Sequence, residues 1–388
     1  MPAFAANEAL LDLLKILHDK GSLTADEYEL LVSASKADEE KSTESDNTIR
    51  QEMKEEIAMV DKKSDWTGKV KLKGDIRTRY EGRWEDGATD RHRGRIRYRL
   101  GVVANPVSGV EVGAGLASGS SDLRSTNQSF DTTFSTKAIN LDYAYAQYKF
   151  NDNLMGVAGK FKQSGYLWTP TDLIWDSDIN PEGFSINYQN HNDLGTTFVN
   201  GGIWVLEENS GSEDDPFLIF GQLGQKFNIG EIDGTVAGAY YEFSEINSLG
   251  DIVTDGTNTD FNFDSFSLSG ELSRKDLFGE GSKAGIFAEL IFNTDTDSSE
   301  DTGFAVGFKA EKGPWGFKYT YADLETNAWP DIFPDSDRFD GLTGVHGHEF
   351  ALDYELMKNV TFGMDYYHMT NTADVDQSLL QVDVVVKY

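Results

Sequence analysis

Six arginines occupy alternate positions on two neighbouring segments of the chain: Arg77, Arg79, Arg93, Arg95, Arg97 and Arg99. Alternation places all members of each run on one face of an extended strand. A guanidinium group keeps its positive charge and binds carboxylates through paired hydrogen bonds. The spacing therefore predicts a basic wall that acts on ions.

An acidic segment, residues 164–182, is the second candidate. Its acids are Asp172, Asp176, Asp178 and Glu182, interspersed with Trp168, Pro170 and Trp175. If these acids lie opposite the arginines, a field crosses the space between them, and charges in a narrow, low-dielectric passage set ion preference. The alternative is that the arginines fill an interior and pair with acids on adjacent strands, such as Asp75 and Glu111.

Strands must position both the arginines and the acidic segment, because apolar and polar residues alternate from Trp66 to Tyr388. The pattern predicts sixteen strands, near 67–80, 92–104, 109–118, 138–150, 154–163, 183–190, 196–207, 217–228, 231–244, 261–274, 282–293, 302–311, 314–322, 347–357, 359–370 and 379–388. The connections alternate between long acidic loops and short turns. An even strand number with this alternation is typical of an all-β transmembrane barrel of antiparallel strands.

The orientation of the arginine strands follows from energy. A Lys or Arg on the lipid face near the bilayer midplane costs ~2–4 kcal/mol. We therefore expect Arg93 to Arg99 to face the lumen, while Ile96, Tyr98 and Leu100 face lipid. In residues 139–150 and 196–207 both faces are mixed, and the orientation stays open.

The N-terminal part has a different pattern. Residues 1–6 resemble the remnant of a signal peptide, with Ala3-Phe4-Ala5 as a small-x-small motif. Residues 7–64 are expected to form a periplasmic helical segment, including a short helix with Thr24 as N-cap and Glu27 completing a capping box. The spacing of Ile49, Met53, Ile57 and Val60 fits a short coiled-coil seam or, equally, a solvated linker helix. Residues 65–388 form the predicted barrel domain.

Composition excludes several classes of protein. The formal net charge of -32 argues against nucleic-acid binding, and the absence of Cys excludes disulfides and thiolate metal sites. No nucleophile motif accompanies His346 and His348, so we expect neither an enzyme nor a cofactor. The segments 295–301 and 331–340 are expected to be acidic outer loops, where solvated surface charge is favoured over divalent-cation binding. No metal site is predicted.

Three motifs resemble the bacterial family of putative porins: Leu72 to Glu81, Asp90 to Arg99, and Asp172 to Gly183, together with Asp142-Tyr143-Ala144-Tyr145. They cover roughly the first third of the predicted barrel, and the later strands are generic. The alternating segment that ends in Tyr388 also resembles the insertion signal of outer-membrane proteins.

The resemblance implies a water-filled diffusion channel for ions and small hydrophilic solutes in the bacterial outer membrane. In general porins the loop after the fifth strand enters the lumen and forms the constriction, and residues 164–182 hold that place here. Chains of this kind form homotrimers in contact with outer-membrane lipid, and we expect the same here. The competing hypothesis is a barrel with a closed lumen that tethers the membrane to the cell wall through the N-terminal helices.

Overall fold

A computed structural model describes residues 15–16, 19–21, 24–33, 54, 70–211, 214–249, 258 and 262–388. The chain divides into two compact units, Met1–Lys69 and Val70–Tyr388. The predicted signal remnant and the predicted seam at Ile49, Met53, Ile57 and Val60 lie outside the described residues. No helix among the described residues is both long enough and apolar enough to cross a membrane.

In the first unit, residues 25–33 form a short helix. The Thr24 backbone N–H donates to Glu27 Oε2 at 2.9 Å, and the Glu27 N–H donates to Thr24 Oγ1 at 3.4 Å. These reciprocal bonds satisfy donors that the first turn of a helix leaves without backbone partners. The predicted capping box is confirmed.

The second unit is built of antiparallel strands. They are β1 (Val70–Glu85), β2 (Arg91–Ala104), β3 (Val110–Ser118), β4 (Gln128–Ser129), β5 (Ile139–Lys149), β6 (Leu154–Lys160), β7 (Glu182–Asn192), β8 (Gly195–Val205), β9 (Phe217–Ile229), β10 (Ile232–Ser244), β11 (Asp264–Lys275), β12 (Ser282–Asn293), β13 (Thr302–Lys312), β14 (Trp315–Leu324), β15 (Val345–Met357), β16 (Val360–Asn371) and β17 (Asp376–Lys387). Short 3₁₀ turns lie at Gln163–Gly165, Ile246–Ser248 and Phe339–Gly341.

Sixteen of these strands form a closed barrel. Each pairs with the next along the chain, and β17 pairs with β1 to close the ring. The two-residue strand β4 is the exception: it lies in the connection between β3 and β5 and pairs with β2. The predicted sixteen-stranded antiparallel barrel is confirmed, and closure leaves no unpaired strand edge in contact with lipid.

Tyr388 and Gly74 form the end of the closing seam. The Tyr388 N–H donates to the Gly74 carbonyl at 3.1 Å, and the Gly74 N–H donates to the Tyr388 carbonyl at 3.0 Å. The Tyr388 ring covers Gly74, where a Cβ would lie 2.7 Å from the ring and 2.2 Å from the Arg99 carbonyl oxygen. Only glycine therefore fits at this position.

The strands orient as expected for the arginines. Leu72, Ile76 and Tyr80 are exposed on the outer face of β1, whereas Arg79 is buried on its inner face. The structure also decides the open cases: Trp204 points inward and Ile203 outward on β8. On β5, the pairing with β3 shifts between Tyr143 and Leu141, and this bulge breaks the alternation that sequence analysis depends on.

Several strand ends differ from the prediction, and three of them bear on the site. Strand β1 continues through Glu85 because it pairs with β17, which begins at Asp376 rather than at residue 379. Glu81 is therefore a strand residue and not the start of a loop. Strand β6 ends at Lys160, three residues early, and the chain then turns into the barrel.

Candidate functional site

The basic wall on β1 and β2 is organised around three carboxylates, and each of them contacts two arginines. Glu81 pairs with Arg93 and Arg95 at 2.5 and 2.8 Å. Asp75 pairs with Arg97 and Arg99 at 2.8 and 2.7 Å. Asp383 of β17 pairs with Arg79 at 2.7 Å and Arg77 at 3.6 Å.

These ion pairs offset the repulsion between neighbouring arginines of the wall. Arg77 lies directly opposite Arg97, and Arg79 lies opposite Arg95, and like charges in such positions destabilise a sheet. Three carboxylates offset the repulsion, yet six guanidinium groups still exceed them by three positive charges. The predicted pairing with Asp75 is confirmed, whereas Glu111 accepts a hydrogen bond from Tyr145 at 2.8 Å.

The segment after the fifth barrel strand, β6, folds into the barrel. Leu173, Ile174 and Trp175 are buried against inward-facing strand residues such as Trp204. The ring centroids of Trp175 and Trp204 lie 5.3 Å apart in an edge-to-face arrangement. An apolar run of this size gains ~1.5–3 kcal/mol per side chain by leaving water, which draws the segment inward.

Asp178 is where this inward loop contacts the basic wall. Its Oδ1 lies 3.3 Å from Arg99 Nη1. Asp176 is buried beside it and accepts the backbone N–H groups of Asp178 at 2.8 Å and Ser336 at 3.1 Å. Glu182 is not part of this group: it is the first residue of β7, is exposed, and pairs with Lys160 at 2.8 Å.

A second inward loop, residues 325–344, was not predicted. The expectation that residues 331–340 form a solvated outer loop is wrong, because Trp329, Asp331, Ile332 and Asp335 are buried inside the barrel. Aromatic packing again accounts for the burial of the loop, because Trp329 packs edge-to-face against Trp175 with ring centroids 5.3 Å apart. The two inward loops also share a backbone bond, since the Asp176 N–H donates to the Phe333 carbonyl at 2.7 Å.

Arg338 and Arg124 hold the second loop in place. Arg338 is buried and pairs with Glu349 of β15 at 2.8 Å, and Lys318 of β14 also pairs with Glu349, at 2.7 Å. Arg124 Nη1 reaches from the β3–β5 connection and donates to the carbonyls of Asp331 at 3.0 Å and Gly341 at 3.3 Å. Asp337 faces the basic wall, 3.7 Å from Arg79.

The acids of both loops lie in an environment that disfavours their charge. Burial and the neighbouring Asp335 and Asp178 raise the pKa of Asp176 well above its ordinary value. Burial and the repulsion of Asp337 raise the pKa of Asp335 to about 8, although Arg338 opposes the rise. Burial also raises the pKa of Asp337, against the attraction of Arg79. All three carboxyls are therefore harder to ionise than a carboxyl in water, because burial and like charges disfavour the charged form.

A polar cavity of about 170 Å³ lies between the wall and the loops. Its charged lining consists of Arg77, Arg79, Arg97, Arg124, Asp172, Asp176, Asp178, Asp335, Asp337 and Asp365. A second cavity of about 340 Å³ adjoins it and shares Ser125 and Asp178 with it. The two cavities lie along the side of the barrel made by β16, β17, β1, β2, β3 and β5.

The opposite side of the interior is filled with apolar side chains. Inward residues of β8 to β10 and β12 to β14 join both loops in a cluster that includes Trp175, Trp204, Tyr241, Trp329 and Phe333. The charged cavity thus lies outside this apolar cluster. Among the described residues, no group of three or more acidic, His or Cys side chains is arranged to hold a metal ion.

Sequence analysis missed Asp335, Asp337, Arg338, Arg124 and Asp383. A signal was present for the second loop. Residues 329–334 read Trp-Pro-Asp-Ile-Phe-Pro, an apolar run within an acidic connection, as in residues 168–175 of the first loop. Apolar residues in an outer connection indicate a loop that folds inward.

A closed antiparallel barrel with apolar residues outside and charged residues inside defines a transmembrane β-barrel protein. The family model described as "putative porin" matches residues 83–275, just under half of the chain. The resemblance to this family that the sequence predicts is therefore confirmed. No curated protein matches the chain by sequence.

Solved structures share the fold at low identity. The high-pH structure of Pseudomonas putida OprB matches with a TM-score of 0.58 and 11% identity, over 83% of this chain and 95% of that chain. A triple mutant of the Rhodopseudomonas blastica porin matches with a TM-score of 0.46 and 12% identity, over 82% of this chain and 100% of that chain. The likeness to OprB supports the barrel fold. The family match and the barrel fold point to the bacterial outer membrane.

Proposed function

We propose that the protein is a porin of the bacterial outer membrane that conducts ions and small hydrophilic solutes through a narrow, off-centre channel. The observation that carries the proposal is the charged cavity between the arginine wall and the acids of two inward loops. The cavity, about 170 Å³ in volume, lies between fixed charges of both signs. Its polar lining replaces part of the water that a charged solute gives up on entry.

The selectivity of this channel is set, in our proposal, by the balance between the two sides of the cavity. Arg77, Arg79 and Arg97 line one side, and Asp178 and the acids of the second loop line the other. Fixed charges at close range in a low-dielectric passage act more strongly than charges on the outer loops, which salt screens within ~8 Å.

Conductance in planar lipid bilayers tests the proposal. A channel gives stepwise current increases when purified protein is added, and reversal potentials in a salt gradient then report ion preference. The tethering barrel is the second candidate, favoured by the apolar cluster that fills one side of the interior. A protein that inserts but never gives stepwise current supports the tether and refutes the channel.

The proposal extends to assembly and partners. We propose a homotrimer surrounded by outer-membrane lipid, since large apolar side chains such as Ile286 and Leu223 are exposed on the outer wall. The N-terminal segment 7–64 provides contact with the periplasm or the cell wall in this scheme. No enzymatic role is proposed.

A further inference from the structure

Three buried amides lie side by side on the inner wall opposite the arginines. Asn187 on β7 is directly opposite Asn200 on β8, and Asn200 is directly opposite Gln222 on β9. All three side chains are buried. A buried amide without partners costs ~1–3 kcal/mol, so three of them in a row require a continuous set of hydrogen bonds.

The amides supply these bonds to one another in one direction. Asn187 Nδ2 donates to Asn200 Oδ1 at 2.5 Å. Asn200 Nδ2 then donates to Gln222 Oε1 at 2.8 Å. We call Asn187, Asn200 and Gln222 the amide ladder.

The ladder ends on the backbone of the first inward loop. Gln222 Nε2 donates to the Trp168 carbonyl at 2.7 Å, and Gln222 Oε1 accepts the Trp168 N–H at 2.9 Å. Gln222 thus pairs with the loop as a neighbouring strand would. This anchor lies ten residues before Asp178, the residue that contacts the basic wall.

The contact with Trp168 determines the orientation of the whole ladder. A backbone N–H can only donate and a carbonyl can only accept, so Gln222 must present its nitrogen to one and its oxygen to the other. Asn200 must then turn its nitrogen toward Gln222, and Asn187 must turn its nitrogen toward Asn200. Aligned amides polarise one another, so each bond supports the next.

We propose that the amide ladder is the positioning device of the constriction loop, with Gln222 as the residue that clamps it. The ladder holds the loop from the wall of β7 to β9, while the bond between the Asp176 N–H and the Phe333 carbonyl holds it from the second loop. Asp178 is thereby kept at the arginine wall. The effect of the clamp on conduction rests on the proposed channel function. The clamp itself does not depend on that function.

The test uses the full chain and a label on the loop. The chain has no Cys, so Ser177→Cys, at an exposed loop position, takes a single nitroxide label. Gln222→Met keeps the side-chain length but removes both bonds to Trp168. Losing two buried hydrogen bonds should raise the population of displaced loop about tenfold to a hundredfold, seen as a mobile component in the spectrum.

Gln225→Met is the matched control. Gln225 lies three residues further along β9 and bonds Thr197, the Leu194 carbonyl and the Lys226 carbonyl, with no bond to the inward loop. It should leave the label immobile. Asn200→Leu breaks the ladder without touching the loop and should give intermediate mobility, which also covers the case in which Gln222→Met fails to fold.

Conduction separates this inference from the proposed function. In the unlabelled protein, Gln222→Met should replace one steady current level by fluctuating levels, and Gln225→Met should not. A label that stays immobile in Gln222→Met and Asn200→Leu, or that becomes equally mobile in Gln225→Met, overturns the clamp. A mobile loop in a protein that never conducts leaves the clamp standing and refutes the channel.

Discussion

Arg99 Nη1 lies 3.3 Å from Asp178 Oδ1, and this ion pair joins the arginine wall of the barrel to the loop that enters it. Arg99 also shares Asp75 with Arg97. Asp178 therefore adds a negative charge to a wall whose positive charge is only half offset by its own carboxylates. Charge changes on either side of this contact should have opposite effects on ion preference.

Removing positive charge from the wall should favour cations. Arg95→Ser with Arg97→Ser deletes two guanidinium groups and leaves Asp75 and Glu81 with one arginine each. We expect a wider pore and a cation-to-anion permeability ratio that rises about fivefold, as for a barrier change of about 1 kcal/mol. Reversal potentials in a KCl gradient measure it. The control, Asp297→Asn with Glu300→Gln on an exposed outer loop, should change the ratio far less, because salt screens these charges.

Removing acids from the first inward loop should favour anions, and the size of the effect should differ between Asp176 and Asp178. Burial raises the pKa of Asp176 well above its ordinary value and so favours its neutral form, whereas Asp178 forms an ion pair with Arg99. Asp178→Asn should therefore shift the reversal potential toward anions more than Asp176→Asn does. The difference should shrink as the pH rises, because Asp176 then ionises. Equal shifts from the loop, wall and outer-loop variants would show that bulk surface charge controls selectivity instead.

Ion preference should depend on pH through the second loop. Because the pKa of Asp335 is raised to about 8, this carboxyl is neutral below that pH and negative above it. Raising the pH through about 8 adds negative charge to the cavity, so cation preference should increase. Reversal potentials measured across this range report the change. In the Asp335→Asn variant this side chain cannot ionise. If the ion preference of that variant still changed by the same amount over this pH range, another group would be responsible for the titration.

Closure of the barrel should depend on Tyr388. Tyr388→Asp removes the ring that covers Gly74 and places a charge at the seam between β17 and β1, so we expect failure to assemble. The measurement is the loss of the heat-modifiable band on gels. Tyr388→Phe keeps the ring over Gly74 and loses the hydrogen bond from Tyr388 Oη to the Arg99 carbonyl, worth about 1 kcal/mol, and should assemble. Normal insertion of Tyr388→Asp would contradict this role.

Trimer formation should not require the N-terminal segment. We predict that association comes from the barrel walls, so deletion of residues 7–64 should leave the trimer intact. Light scattering on the purified protein in detergent gives the mass of the complex, with the full chain as control. A monomeric truncated protein would instead assign assembly to the seam predicted at Ile49, Met53, Ile57 and Val60.

The amino-acid pattern alone determined the number of barrel strands and, for the arginine strands, which face points inward. Alternation has a period of two, and a charge facing lipid costs too much, so Arg77 to Arg99 could point only one way. The capping box at Thr24 and Glu27 could also be predicted from the sequence, because both partners lie within one helical turn. The first inward loop was located through the resemblance to general porins, in which the loop after the fifth strand enters the lumen.

Tertiary structure decided what the loops contact. Nothing near residue 335 in the chain shows that Trp329 packs on Trp175 or that Arg338 pairs with Glu349, since these contacts form only when the barrel closes. The pairs of Asp383 with Arg79 and of Gln222 with Trp168 likewise join residues far apart in sequence. Alternation assigns a face to a strand residue, but a loop residue gets its environment only from the surfaces that the finished barrel places around it.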